Sequence, residues 1–421
     1  MTISAAEQYL IELINRARLD PLAEAQRFGI GLNDGIASGR QIAGEAMQVL
    51  APNASLDVAA ERHSAWMLAE DVFSHTGAGG STPRERMEAA GYELVSPWTT
   101  GENIAMAGTT GTVNLNAMIE DQYDGLFRSA GHRANTLDAR YQEIGVGQVG
   151  GRFTQGGRTY NASMLTENFA RSGSDVFLTG VAYDDRDGNA FYGIGEGLSG
   201  LRFAVAGASA ATAAAGGDAV ALAADAAAAV TVTQGTTTLA RLTVDLSAGN
   251  GKLDLVRTAA GWELALSASA TLVSGVADAR LLGAGDLDLT GSAAANRLTG
   301  NRGDNVLSDG GGAGADVLAG GAGDDVYVVR NAATRIVEGA SGGTDRVAAG
   351  VDFRLAAGVQ VEQISTASST GTDPIDLTGN LLRQTITGNA GANTLNTGGG
   401  AADVLRGLGG DDTYRVHNAA D

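Results

Sequence analysis

The sequence predicts a multidomain chain with an N-terminal α/β or α+β sandwich, then a β-rich segment, then a parallel β-roll. Three observations support this. Residues 1–172 combine helical apolar spacing with short strand-like runs, residues 173–285 change to a two-residue alternation, and residues 286–421 repeat a glycine-rich nine-residue unit. A length of 421 residues accommodates about two to four domains at roughly 100–200 residues each.

Composition excludes several classes of protein. The formal net charge is −20, which argues against nucleic-acid binding because that binding depends on Lys and Arg neutralising phosphates. The sequence has 0 cysteines, so disulfides, thiol catalysis and Cys-ligated zinc are excluded. No apolar run reaches the ~18 residues of a transmembrane segment. The excess of carboxylates suits hard cations such as Ca²⁺.

Residues 1–172 are predicted to form four helices and at least two strands. Apolar spacing predicts the helices, and a Ser-Thr-Pro cap marks the start of the third one. These helices are expected over Ala5–Arg18 and Asp57–Ala69, from Ser81 onward, and over Ala117–Phe127. The strand-like runs are Ile144–Gly147 and Ala162–Phe169. Residues 206–230 are mostly alanine and predict only a loop or an irregular strand.

Residues 286–421 contain two blocks of nine-residue units, separated by a longer stretch with strand-like runs. The units follow the pattern G-G-x-G-x-D-x-U-x, which is typical of a parallel β-roll. They are 291–299, 300–308, 311–319, 320–328, 388–396, 398–406 and 407–415. A flexible Gly/Asp linker is the alternative interpretation. However, a linker does not place a large apolar residue two positions after the Asp or Asn in unit after unit.

The carboxylates of these units predict calcium sites. Ca²⁺ takes 6–8 oxygen ligands, and stacked carboxylates repel each other without a cation, so folding is expected to be coupled to Ca²⁺. The Asp position is held by Asp316, Asp325, Asp403 and Asp412. Asn296, Asn305 and Asn393 replace Asp in weaker turns, and Asp304 is expected to compensate for Asn305.

The repeats resemble the RTX (hemolysin-type calcium-binding) family. That resemblance implies an extracellular or cell-surface bacterial protein exported by a type I secretion system, and Met1 to Leu19 show no Sec-type signal. It also implies a C-terminal export signal. Because the sequence stops at Asp421, directly after a repeat, we expect a C-terminal truncation.

A second calcium site is predicted within residues 184–196. Counting Asp185 as position 1, oxygen ligands fall at positions 3 (Asp187), 5 (Asn189) and 12 (Glu196), which is the EF-hand ligand spacing. Position 6 is Ala190 where an EF-hand has Gly. Because the flanks are strand-like, the segment resembles an SdrD B-like repeat, a small β-sandwich with Ca²⁺ in a loop. An acidic hairpin turn is the alternative.

Six short strings within residues 5–170 resemble the bacterial branch of the CAP superfamily (SCP/PR-1-like). The resemblance lies in their order and spacing, and it implies an α-β-α sandwich with a central cleft. The strings are 13–18 (LINRAR), 62–67 (RHSAWM), 73–77 (FSHTG), 101–105 (GENIA), 129–135 (SAGHRAN) and 141–147 (YQEIGVG).

The family resemblance implies a cleft with two His and two acidic residues that can hold a divalent metal such as Zn²⁺. Carried over motif by motif, His75, Glu102 and His132 match. For the second acid, Glu143 is the first choice and Asp124 the alternative. The competing structural interpretation is that Glu102 only caps a loop that the histidines orient. No G-x-S-x-G or HExxH nucleophile or zincin motif accompanies these residues.

Three functions remain open from the sequence. The first is a secreted calcium-binding modular protein whose cleft binds a metal or an unknown ligand, with lipid, peptide and cell-wall components as candidates. The second is a metal-dependent hydrolase centred on His75, His132 and Glu102. The third is an adhesive or surface-layer protein in which the calcium modules carry the function. An enzyme is less favoured than a binding protein.

Overall fold

The computed structural model describes residues 3–223, 227–400 and 402–419. Asp421, where we expect the truncation, lies outside the described residues. Six α-helices and one 3₁₀ helix, all before residue 137, are described. They are α1 (Ala5–Leu19), α2 (Pro21–Arg27), α3 (Ala54–Ala69), the 3₁₀ helix (Ala78–Gly80), α4 (Pro83–Ala89), α5 (Leu115–Arg128) and α6 (Ala130–Thr136).

The strands fall into two groups. Those that begin before residue 262 are β1 (Ala51–Pro52), β2 (Trp98–Thr109), β3 (Glu143–Gln155), β4 (Arg158–Ser172), β5 (Val176–Asp184), β6 (Leu201–Val205), β7 (Ala208–Ala211), β8 (Gly217–Leu222), β9 (Ala227–Gln234), β10 (Thr237–Asp245), β11 (Gly251–Thr258) and β12 (Gly261–Leu266). The later ones are β13 (Ala270–Gly275), β14 (Asp278–Leu281), β15 (Asp288–Thr290), β16 (Arg297–Thr299), β17 (Val306–Ser308), β18 (Val317–Ala319), β19 (Val326–Val329), β20 (Arg335–Val337), β21 (Arg346–Ala349), β22 (Phe353–Arg354), β23 (Gln363–Thr366), β24 (Leu377–Thr378), β25 (Thr385–Thr387), β26 (Thr394–Asn396), β27 (Val404–Arg406) and β28 (Thr413–Arg415).

The chain divides into two compact units. The first comprises residues 1–228, 232–237 and 246–261, and the second comprises 229–231, 238–245 and 262–421. These units do not coincide with the three predicted regions, because residues 173–228 and 246–261 belong with the N-terminal helices. No helix in the described part of the chain is long and apolar enough to span a membrane.

The N-terminal helices pack against a four-stranded sheet with the order β1-β3-β4-β2. Strands β3 and β4 form a long antiparallel hairpin, and β2 pairs antiparallel with β4 along its full length. Gly145 and Gly147 let α3 lie directly on β3, because a Cβ atom at either position would meet the α3 backbone at 2.1 Å. The Ile-Gly-Val-Gly run of the sequence therefore serves helix–sheet packing.

The structure confirms the predicted α-β-α class and extends the predicted elements. Two helices were missed. Pro21 is the first residue of α2, with Asp20 as its N-cap, and α6 follows α5 after a single residue. Strand β2 was also missed because its buried and half-buried positions do not alternate. The predicted third helix is α4, capped by a reciprocal pair between Thr82 and Glu85.

The rest of the first unit is β-rich. Strand β5 pairs parallel with β11 and antiparallel with β8, and β6 pairs antiparallel with β7. Residues 206–230, predicted as loop or irregular strand, contain β7, β8 and the first part of β9 on either side of the undescribed residues 224–226. Alanine lacks the bulk that makes an alternating pattern visible, and of the alanines in these described strand segments only Ala228 is buried.

The second unit is a parallel β-roll. Consecutive strands in one stack are about two repeat units apart, as in β13-β15-β17-β19-β21-β23-β25-β27, β12-β14-β16-β18-β20 and β22-β24-β26-β28. Register aligns one large apolar residue per strand, and these residues form a core column that is buried except at the half-buried Leu405. In the first stack the column runs Leu289, Leu307, Tyr327, Val347, Ile364, Ile386 and Leu405.

The roll continues through the stretch between the two repeat blocks, where the nonapeptide pattern is lost. Ile336, Phe353 and Leu377 occupy core positions there, with at most 6% exposure. At the other end of the pattern, Tyr414 was predicted to point into the roll but is 50% exposed. It lies on β28, the edge strand of its stack, where no further described strand covers it.

Candidate functional site

Glu102 is fixed at the centre of the predicted cleft. It lies on β2, with its side chain only 2% exposed, and both of its oxygens are engaged. Its Oε1 is 2.9 Å from His75 Nδ1, and its Oε2 accepts a hydrogen bond from Arg86. Arg86 also donates to the carbonyl oxygens of His75 and Ser81. The carboxylate therefore fixes one ring nitrogen of His75, whose side chain is 53% exposed.

His132 shares a cavity with this pair. It lies on α6, and its Nδ1 is buried without a hydrogen-bond partner. Burial and the nearby His75 lower the pKa of His132, which favours the neutral imidazole that can accept a proton or bind a metal. The cavity has a volume of about 350 Å³ and is mainly polar. It is lined by Arg40, His75, Glu102, Asn103, Gly131, His132, Ala134, Asn135, Asp138, Arg140 and Tyr141.

Neither candidate for the second acidic residue lines this cavity. Glu143 begins β3 and is 5% exposed, and it accepts hydrogen bonds from Asn53 and Tyr92. Burial raises the pKa of Glu143. Asp124 lies on α5, and burial likewise raises its pKa. The structure therefore brings together His75, Glu102 and His132, and it gives Glu143 a role in holding the start of β3.

A buried acid that the sequence did not single out lies behind the cleft. Glu167 on β4 is 1% exposed and accepts a hydrogen bond from Asn103 at 3.0 Å. Asn103 follows Glu102 and also contacts Thr136 and Asn135. Burial raises the pKa of Glu167 to about 7. Its position on the strand paired with the Gly-Glu-Asn motif could have indicated it.

The predicted calcium loop brings its carboxylates together. One oxygen each from Asp185, Asp187 and Glu196 lie within 4.8 Å of one another. Backbone N–H groups of the loop point at the same oxygens: the N–H of Asn189 donates to Asp185 and Asp187, and that of Arg186 to Glu196. Ala190, in place of the EF-hand glycine, has φ of +59°, so the loop keeps the left-handed conformation that position 6 requires.

The Asp residues of the roll lie in the turns that precede its strands, and most of them are buried. Asp316, Asp325 and Asp403 are at most 3% exposed. One oxygen of each accepts the backbone N–H of the preceding turn, from Asn296, Asn305 and Gln384 respectively. Asp412 receives the N–H of Asn393 in the same way. The Oδ2 atoms of Asp316 and Asp325 are buried without a partner, and burial raises the pKa of Asp325 to about 7.

In the turns that contain Asn, the polar groups of the Asn side chain are hydrogen-bonded within the roll. Asn296 accepts the N–H of Ser292 and donates its amide to the carbonyl of Ala277. Both ends of the Asn296 amide therefore have hydrogen-bond partners. Asp304, expected to compensate for Asn305, is exposed and accepts the N–H of Asp324. Asp304 therefore lies on the surface of the turn, whereas Asn305 is buried.

Two family models match separate parts of the sequence. The family described as the cysteine-rich secretory protein family (CAP) matches residues 11–162, and the RTX calcium-binding nonapeptide repeat matches residues 290–327 and 378–414. No curated protein matches the sequence.

Two solved structures are similar to part of the chain, each with a TM-score of 0.22 and covering 30% of it. One is an extracellular SCP-domain protein from Bacillus anthracis str. Ames, at 24% identity over 35% of that chain. The other is an outer surface protein from Borrelia burgdorferi, at 18% identity over 80% of that chain. This chain therefore spans about a third of the length of the Bacillus protein.

Fold and sites together define a calcium-binding modular protein with an α-β-α sandwich and a parallel β-roll. Its N-terminal part is a CAP domain, and its C-terminal part carries RTX calcium-binding nonapeptide repeats. Because the sequence has 0 cysteines, this CAP domain has no disulfides, and packing, hydrogen bonds and ion pairs stabilise it.

Proposed function

We propose that the chain is an exported calcium-binding protein whose CAP domain presents the His75–Glu102–His132 cleft to a polar ligand at or outside the cell surface. The observation that carries this proposal is the fixed carboxylate of Glu102. It is held between Arg86 and His75 on the wall of a cavity with polar lining. Because Glu102 is held in one position, it fixes the orientation of His75. A ligand can therefore bind His75 with little further loss of side-chain entropy.

The lining of the cavity narrows the class of ligand. Charged and amide side chains surround it, including Arg40, Asp138 and Arg140. An acyl chain would leave these groups without hydrogen bonds, and buried unpaired polar groups are costly. A peptide or a cell-wall fragment offers both donors and acceptors, so we favour these over a lipid.

Zinc fits the cleft less well than a polar ligand does. Both oxygens of Glu102 already have partners. Within the described residues, two groups of three or more acidic or His side chains have ligand atoms within 4.8 Å of one another, and neither includes His75 or His132. A zinc site usually needs at least three protein ligands around one point. We therefore derive no step of a metal-dependent hydrolysis, although the two imidazoles keep that alternative open to test.

The roll supports the calcium part of the proposal. Buried carboxylate oxygens without partners, such as Asp316 Oδ2 and Asp325 Oδ2, are the groups that a hard cation satisfies. Calcium at millimolar levels outside a cell would order these turns, whereas low calcium inside would leave them repelling each other. This coupling favours folding after export, and we propose a type I system for that export.

The cleft is tested by saturation-transfer NMR on the full chain with soluble peptidoglycan fragments as the probe. We expect saturation to pass to the fragments from the wild type and from the control His417→Ala, which removes an exposed imidazole in the roll. We expect this transfer to be lost with His132→Ala and with Arg86→Met. Equal transfer from all four proteins would exclude the cleft as the binding site and favour an adhesive role for the calcium modules.

The hydrolase alternative needs its own test. Zn²⁺ titrated into the full chain by calorimetry should show no binding that His75→Ala and His132→Ala both abolish. If both variants do abolish a zinc-binding event, and zinc restores hydrolysis of the same fragments, the alternative replaces the binding proposal.

A further inference from the structure

A cluster of three buried carboxylates lies where the first repeat block meets the stretch between the two blocks. Asp325 precedes β19, Glu338 follows β20, and Asp345 precedes β21. They are 0%, 8% and 1% exposed, and one oxygen of each lies within 4.8 Å of the other two. Glu338 and Asp345 lie outside both segments that match the nonapeptide repeat.

Hydrogen bonds satisfy only part of this cluster. Asp325 Oδ1 accepts the N–H of Asn305, and Asp345 Oδ1 accepts the N–H of Asp325. Glu338 accepts the N–H of Gly339 and the hydroxyl of Tyr327. The Oδ2 atoms of Asp325 and Asp345 are buried without a hydrogen-bond partner.

No positive charge offsets the cluster. Among the residues that the structure describes, no Arg, Lys or His forms an ion pair with any of the three carboxylates. Three acidic groups in one buried place cannot all ionise without a counter-charge, since both desolvation and mutual repulsion oppose it. Their convergence therefore indicates a cation site.

We propose that Asp325, the Asp of the last unit in the first repeat block, binds one calcium ion together with Glu338 and Asp345 from the adjoining turns that lack the nonapeptide pattern. Oxygen ligands of Ca²⁺ lie about 2.3–2.6 Å from the ion and are therefore at most about 5 Å apart, a limit that these three oxygens meet because they lie within 4.8 Å of one another. Mg²⁺ usually keeps several of its waters, which a buried site such as this one does not favour. The inference goes beyond the proposed function, because two of its three ligands belong to no repeat unit and it stands whether or not the repeats bind calcium.

This site has a structural consequence. It lies where the repeat pattern stops but the stacking of β19 on β21 continues, with Tyr327 and Val347 in register. A cation here would replace the lost repeat sites and keep the roll continuous between its two blocks. Glu338, which follows β20, would provide the carboxylate ligand that the Asp of a further repeat unit would otherwise provide.

The test counts bound calcium on the full chain by equilibrium dialysis with CaCl₂ as the probe. Glu338→Gln and Asp345→Asn keep side-chain size and should each bind one ion fewer than the wild type. The control Asp373→Asn, at an exposed carboxylate in the same stretch, should bind as many as the wild type. Unchanged stoichiometry and affinity in Glu338→Gln would overturn the proposal.

Two further measurements keep the test decisive. Asp403→Asn probes a repeat site, so a loss in Glu338→Gln without a loss in Asp403→Asn would sustain this inference while contradicting calcium binding by the repeats. Should the Glu338 variant fail to fold, Tb³⁺ in place of Ca²⁺ gives an independent readout. Tyrosine-sensitised Tb³⁺ emission should fall in Tyr327→Phe and not in the control Tyr160→Phe. Equal emission from both would overturn the proposal.

Discussion

The ammonium of Lys252 lies 2.8 Å from Glu12 Oε2, with the two side chains 5% and 4% exposed. Lys252 on β11 is the only lysine in the sequence, and it also pairs with Asp254 two residues later. The contact joins α1 of the CAP domain to a strand 240 residues away in the chain. The CAP fold is therefore completed by residues far beyond the segment that the family match covers.

Replacing Lys252 with Met should destabilise the first unit by about 3–5 kcal/mol, because it leaves two buried carboxylates without their counter-charge. Hydrogen–deuterium exchange should quicken in α1 and β11, with little change in the roll. The matched control Arg152→Met removes an exposed cation and should change stability by less than about 0.5 kcal/mol. A variant Lys252→Met as protected as the wild type would contradict the role of this pair.

Glu167 should make the CAP domain less stable as pH rises. Its folded pKa of about 7 exceeds the ordinary value of 4.5, so the folded state holds the proton more tightly and stability falls between about pH 4.5 and 7. Glu167→Gln removes this dependence. We expect little effect near pH 4 and stabilisation of up to about 3 kcal/mol at pH 8.

Urea unfolding at pH 5 and pH 8, monitored by hydrogen–deuterium exchange of the β3 and β4 amides, measures the effect of Glu167 on stability. Glu88→Gln, at a half-exposed carboxylate, is the matched control and should retain the wild-type pH slope. If Glu167→Gln also retains that slope, burial of Glu167 does not set the pH dependence.

Asp316→Asn should convert a predicted calcium-binding turn into one whose side chain is hydrogen-bonded within the roll, like that of Asn296. The new amide can donate where Asp316 Oδ2 has no partner, which should stabilise the roll in EDTA by about 1–3 kcal/mol. The gain in melting temperature on adding Ca²⁺ should shrink. Circular dichroism melting with and without Ca²⁺ measures both, and the exposed Asp288→Asn should match the wild type.

Glu196→Gln should weaken calcium binding at the loop of residues 184–196. Glu196 is 7% exposed and receives the N–H groups of Arg186 and Gly193, so Gln can keep one of these bonds while removing the charge. We expect at least a tenfold loss in affinity at one site, or ~1.4 kcal/mol, by calorimetry. An unchanged titration would favour the simple acidic turn.

Much of the fold was predicted from short sequence patterns, because helices and nine-residue turns are determined mainly by residues close together in the chain. The apolar residue of the repeat unit is fully buried through most of the roll, as at Leu298 and Leu318, and is exposed only toward its end, at Tyr414. The predicted helices form with ends shifted by at most three residues. The stretch from 329 to 377 lies within the predicted roll region, but its individual turns were not identified, because they keep the apolar positions and lose the glycine pattern of the nine-residue unit.

The cleft was predicted in part. His75, Glu102 and His132 meet because three separate motifs end at one place in the sandwich. Glu143 followed the same motif reasoning, but the pleat of β3 directs it towards Asn53 and Tyr92. Alternation along a strand decides such a direction, and it depends on a register that no single motif encodes.

The sequence by itself determined the modules, the nine-residue period of the roll and the residue types that can hold calcium, since these follow from spacing along the chain. Only the tertiary structure decided which distant groups share a buried place: Lys252 with Glu12, Asn103 with Glu167, and Glu338 with Asp325 and Asp345. The physical reason is that burial and charge compensation are properties of a packed neighbourhood. Strand register and helix packing bring that neighbourhood together from distant segments, and no pattern within one segment identifies its partner.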